Sequence, residues 1–169
     1  MEKTRFTRLL LLGASLSLAS CASYDGRSLS PGQSTAADVE SLMGAPAEKV
    51  AAGNGDTLWF YPRSPSGRET YAVRLSAEGR VRTVEQVLTL ANVGRLVTGQ
   101  STQAQAREML GPPNRAFRSR LGDRDVWEYL LYDPVQTPYV LYVQSSLDGI
   151  VREAFTVRDP SLDSGNYSN

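Results

Sequence analysis

In a chain of 169 residues with no histidine and one cysteine, few side chains have the type and spacing to do chemistry. The candidates are the thiol of Cys21, the carboxylates of Asp123 and Asp125, and the amide of Asn166 in Asn166-Tyr167-Ser168. Paired carboxylates can hold a cation. Here Arg124 sits between them and neighbouring strand residues diverge, so Asp123-Arg124-Asp125 reads as a solvated charge cluster at a hairpin. The Asn166 triplet fits a glycosylation sequon, a chance match in a chain that carries the bacterial signal described below. The missing histidine removes the side chain most used for acid/base work near neutral pH, and the commonest metal ligand. No Gly-rich phosphate loop, nucleophile elbow or Cys/His cluster is present. The expectation is a protein that is not an enzyme, with no cofactor, no metal and no catalytic residue.

Cys21 is different, because of what precedes it. Lys3, Arg5 and Arg8 form a basic flank, and the apolar run from Leu9 to Leu18 is too short to span a bilayer. Leu18-Ala19-Ser20-Cys21 resembles the bacterial lipoprotein signal motif, which implies that Cys21 is acylated and becomes the first residue of the mature chain. With no second cysteine there is no intramolecular disulfide, so an oxidising compartment would leave the thiol bare unless lipid capped it. Stable anchoring takes more than one acyl chain, at about 0.8 kcal/mol per buried CH₂. The expected domain map is a signal peptide over 1–20, a lipidated flexible linker over 21–31, modules over 32–88 and 89–158, and a disordered tail over 159–169. Ala22 and Ser23 follow the cysteine, and by the same resemblance the lack of aspartate there points to the outer membrane, facing the periplasm. Without residues 1–20 the chain carries 15 basic and 17 acidic side chains, which gives nothing for a nucleic acid to hold.

The elements that position these residues occur twice. Gly32-Gln33-Ser34-Thr35 returns as Gly99-Gln100-Ser101-Thr102, and Leu42-Met43-Gly44-Ala45-Pro46 as Met109-Leu110-Gly111-Pro112-Pro113. Trp59 and Tyr61 recur at Trp127 and Tyr129, Tyr71 at Tyr139 and Gly79 at Gly149, so a structural unit is repeated. Thr35 with Asp38, and Thr102 with Gln105, have the form of capping boxes; Gly44 and Gly111 with the following prolines stop each helix. A further helix is expected around Leu90, Val93 and Val97. After each helix the period changes to two, which predicts strands over 57–63, 70–76 and 80–88, and again over 124–133, 139–145 and 150–157. The expected fold class is α+β: two tandem modules, each with one or two short helices packed on a three-stranded antiparallel meander sheet.

Alternation turns Trp59, Tyr61, Tyr71, Val73 and Leu75 inward, with Trp127, Tyr129, Tyr139, Leu141 and Val143 in the second module. Phe60, Leu130, Tyr132, Val140 and Tyr142 then fall on the opposite faces. An open aromatic-rich face marks a partner site, so these five are the candidate partner-binding residues. The alternative is that this surface is partly buried, between the two modules or under the tail.

The ordered set Gly-x-Ser/Thr, Leu-Gly-x-Pro, Trp-x-Tyr and acidic-Gly-x-Val, occurring in both modules, resembles the SmpA/OmlA (BamE-like) outer-membrane lipoprotein family. That resemblance implies a helix pair on a three-stranded sheet, a lipid anchor in the outer membrane, and support of β-barrel assembly through contact with the assembly machinery and lipid. Two tandem copies are also similar to the β-lactamase-inhibitor-protein (BLIP-like) architecture, which implies a concave sheet gripping a soluble periplasmic client. The segment 22–31 has no match to the partner-contacting segment of that family, so fold and location are what the resemblance carries.

Overall fold

The computed structural model describes residues 25–160. Cys21, the signal region, the Asn166 triplet and the predicted tail from 161 onward lie outside the described residues.

The chain order is α1 (Ala36–Met43), β1 (Glu48–Ala51), β2 (Thr57–Pro62), β3 (Thr70–Leu75), β4 (Val81–Gln86), α2 (Leu90–Val93), α3 (Gln103–Leu110), β5 (Arg115–Arg118), β6 (Arg124–Tyr132), β7 (Pro138–Ser146) and β8 (Val151–Arg158). The strands form two separate four-stranded antiparallel sheets, ordered β1-β2-β3-β4 and β5-β6-β7-β8. This corrects the expected α+β fold with three-stranded sheets: the architecture is mostly β, with three short α-helices among the described residues. The strands missing from the sequence reading are β1 and β5. Each has four residues at a sheet edge, and β5 is exposed along its whole length, so neither carries an apolar period.

Each helix is built by local chemistry. Thr35 and Thr102 accept the backbone N–H of Asp38 and Gln105, and those side chains return a bond to the Thr backbone N–H, closing both capping boxes. Gly44 and Gly111 end the helices with φ of 82° and 78°, a region that side chains avoid. Val39 and Met43 bury against Trp59, Tyr61, Val73, Leu75 and Val81; Ala106 and Leu110 bury against Tyr129, Leu131, Leu141, Val143 and Val151. In both halves a tyrosine of the second strand spans back to the helix end: Tyr61 donates to the Gly44 carbonyl and Tyr129 to the Gly111 carbonyl, each at 3.2 Å.

Two irregularities decide which residues face out. Between Gln144 and Ser145 the β7–β8 register shifts: Val151 opposes Ser145, whereas Glu153 opposes Gln144. The extra residue flips parity, so Val151 is buried inside while Phe155 and Val157 project from the other face. The same shift occurs between Arg74 and Leu75. The β6–β7 pairing also runs past Leu130↔Val140 to Tyr132↔Pro138, whereas β2–β3 stops at Pro62↔Thr70. By register Tyr71 therefore corresponds to Leu141, two residues beyond the Tyr139 that motif spacing suggests.

The segment expected to be a loose lead is packed from Asp25 onward. Gly26 is buried, with Val84 Cγ1 2.8 Å from where a Cβ would stand, Leu29 joins the first core, and Gly32 donates to the Val81 carbonyl at 2.8 Å.

Candidate functional site

Each sheet has an inner face under its helix and an outer face, and the two outer faces have opposite fates. On sheet 1 the outer face is the cluster Leu58, Phe60, Ala72 and Val87, all buried. The second half of the chain covers it. The cap of α3 rests there so closely that a Cβ on Gly111 would lie 2.7 Å from Thr70 Cγ2 and 3.1 Å from Phe60 Cδ1. Arg107 of α3 forks onto Glu48 of β1 with contacts of 2.9 and 2.5 Å, Arg74 reaches Glu108 at 3.5 Å, and Asn92 donates to the carbonyls of Val87 and Met109. On the far side Ser64 bonds Asn114, and Arg68 donates to the Tyr139 carbonyl and pairs with the buried Asp159. Phe60 is therefore no open partner residue: it is fully buried at the joint between the halves. The reason is that a helix end some fifty residues away covers this face, which strand alternation cannot report.

On sheet 2 the outer face is open. Cross-strand partners place Phe117 beside Val126 and Gln144, Arg115 beside Glu128, Tyr142 and Phe155, and Leu130 beside Val140 and Val157. Leu130, Tyr132, Val140 and Tyr142 thus share one surface. Val140 is buried at 7% exposure, while Leu130, Tyr132 and Tyr142 are half-buried. Tyr142 stacks on Phe155 with ring centroids 5.5 Å apart, Arg68 lies over the Tyr132 ring at 5.5 Å, and Arg115 pairs loosely with Glu128 at 3.8 Å. Burial among these neighbours, reinforced by Glu128, raises the Tyr142 hydroxyl above its ordinary value. The sequence reading missed the residues that project most: Phe117, Phe155 and Val157. Phe117 sits on the unrecognised β5, and the bulge conceals the facing of the other two.

A groove of about 560 Å³ lies between the outer face of sheet 1 and α3, lined by Leu58, Ala72, Arg74, Glu85, Arg95 and Met109 among others. Arg74 is held by Asp56 and Glu108. Asp123 and Asp125 do not converge on a cation: Asp123 accepts from Ser119, and Asp125 pairs with Arg118 at 2.8 Å. Among the described residues no three His, Cys, Asp or Glu side chains gather as metal ligands, and no helix is long and apolar enough to cross a membrane.

No family model matches the chain. No curated protein matches it. It is similar to the crystal structure of a DUF4309 family protein (YjgB) from Bacillus subtilis, at 19% identity over 78% of this chain and 82% of that one, with a TM-score of 0.30. At that score the likeness assigns neither fold nor activity. These findings overturn the resemblance to the SmpA/OmlA (BamE-like) family. The residues that suggested it encode local structure: a threonine cap, a glycine at positive φ and a helix-stopping proline serve any short helix followed by a strand.

Proposed function

We propose that this chain is a lipid-anchored protein of the bacterial envelope, held through Cys21 at the periplasmic side of the outer membrane, that acts by binding another protein and not by catalysis. The open outer face of sheet 2 carries this reading. Its counterpart on sheet 1 is buried, whereas Phe117, Phe155 and Val157 remain 42%, 38% and 45% exposed around Leu130 and Tyr142. An apolar, aromatic-rich surface rimmed by charge is the usual composition of a contact site. The sequence around Cys21 supports the anchor.

Affinity capture of the detergent-solubilised lipoprotein from envelopes, with Leu130→Ser and Tyr142→Ser as paired variants of unchanged melting temperature, tests the face. A partner that co-elutes with the parent and is lost from both variants is the expected result; equal recovery would remove the face from the reading. Depletion supplies the partner's class: loss of β-barrel proteins would tie the partner to barrel assembly, whereas a soluble enzyme in the eluate would make the chain a binding or inhibitor module. Recovery of Cys21 without fatty acid would overturn the anchor.

A further inference from the structure

We infer that the outer face of sheet 2 receives the Gly44 end of α1 from a second copy of this chain, so that copies join head to tail. The inference rests on the reading of that face as a protein-contact surface, and it names the partner.

The chain already contains one joint of this kind. The outer face of sheet 1 takes the Gly111 end of α3, with Phe60 against the glycine and Arg107 forked onto Glu48. Both halves of an equivalent second joint lie open. Gly44 ends α1 with φ 82° and ψ −169°, matching the 78° and −169° of Gly111, yet nothing approaches within 4 Å of where its Cβ would stand. The face that would receive it carries the exposed Phe117, Phe155 and Val157.

Charge matches the two halves to each other. Gly111 donates its N–H to the carbonyl of Arg107, and Gly44 donates to that of Glu40, so Glu40 holds in α1 the place of Arg107 in α3. Glu48 of β1 opposes Phe60, and Arg115 of β5 opposes Glu128, the register equivalent of Phe60, so Arg115 holds the place of Glu48. Both signs are reversed, and their complementarity is kept: Glu40 of one copy meets Arg115 of the next. In their present pairings, Glu40 with Lys49 at 3.1 Å and Arg115 with Glu128 at 3.8 Å, Glu40 and Arg115 are themselves exposed, at 49% and 68%, and free to turn toward a new partner.

The aromatic contact is kept with an offset. The Phe60↔Ala72 pair of sheet 1 becomes Glu128↔Tyr142 in sheet 2, moving the ring by one strand, about 4.8 Å, toward β8, where Phe155 flanks it. The incoming glycine then rests on Tyr142, and the long, 68% exposed Arg115 side chain follows Glu40 across that distance. A contact between two different patches joins copies head to tail, into open chains or, where the rotation closes, into rings, so the assembly grows as concentration rises.

Sedimentation velocity on the chain from residue 21 onward, with Cys21→Ser to exclude acyl-driven aggregation, reads this out. The expected result is a mass that climbs with concentration. Glu40→Arg and Arg115→Glu should each hold the chain monomeric, since one puts two cations at the joint and the other two anions. An equimolar mixture of the two variants should associate again, because every contact between unlike copies is then complementary. Tyr142→Ser should weaken association without lowering the melting temperature. A parent chain that stays monomeric at every concentration, or a mixture that stays monomeric while the parent associates, would overturn the inference. In the first case, loss of a captured partner on Tyr142→Ser would leave the contact reading of the face standing.

Discussion

Gly44 and Gly111 share a backbone conformation and differ in surroundings, which makes them a controlled pair. Alanine at either position incurs the cost of a sparsely populated φ, about 1–3 kcal/mol. Only Gly111→Ala also drives a methyl group into Thr70 and Phe60. Thermal melts should therefore show Gly111→Ala several degrees below Gly44→Ala; equal melting would mean that the joint is looser than these distances. The helix-end tyrosines give a second test. Burial, with Glu40 adding to it, pushes Tyr61 up to about 12 from 10.0, and burial pushes Tyr129 further in the same direction. A hydroxyl whose value is raised by folding contributes fully below the unfolded value and loses that contribution as pH climbs through the folded one. The denaturant midpoint should fall between pH 10 and 12, and Tyr61→Phe should flatten that fall. At neutral pH, Tyr129→Phe strips the Gly111 carbonyl of its buried donor and should cost about 1–2 kcal/mol. Both capping boxes were legible in the sequence because their partners lie three residues away. The fate of Phe60 was not, because what covers it comes from beyond residue 100.

At the scale of elements, the sequence is clear wherever one face is buried and the other wet. The strands around Trp59, Val73, Tyr129 and Leu141 announce themselves by period-two apolar residues that the structure places inside. It is mute where a strand is short and exposed, as in Arg115-Ala116-Phe117-Arg118, whose place in the sheet is set by pairing with β6 and not by burial. It misleads where a bulge changes parity: Val151, Phe155 and Val157 are all odd-numbered, yet the first faces in and the others face out. The caps are testable at this scale. Thr35→Ala and Thr102→Ala each remove one side-chain acceptor from a helix start and should each cost about 1 kcal/mol in chemical denaturation. A substantially larger loss at Thr102 would show α3 acting as a strut for the joint as well as a helix.

For the molecule as a whole, the joint between the halves sets the energetics. Arg68, from the β2–β3 connection, and Asp159, just after β8, form an ion pair whose side chains are only 11% and 7% exposed. Removing one partner leaves the other charge buried, a loss of about 3–5 kcal/mol. Arg68→Ala should therefore melt both halves together at lower temperature; a separate early transition of one half would show the joint to be weaker than its contacts imply. None of this was legible in the sequence, because Arg68 and Asp159 lie in turn and tail chemistry with no period to mark them. The packing of residues 25–31 against β4 has a consequence of its own. With Gly26 and Leu29 sunk into the first core, acyl chains on Cys21 would have only five peptide steps of slack, about 18 Å even when fully drawn out. If Cys21 carries the proposed anchor, so short a mooring would make the bilayer a neighbour of the first sheet and would turn a three-dimensional search for a binding mate into a two-dimensional one across the membrane plane.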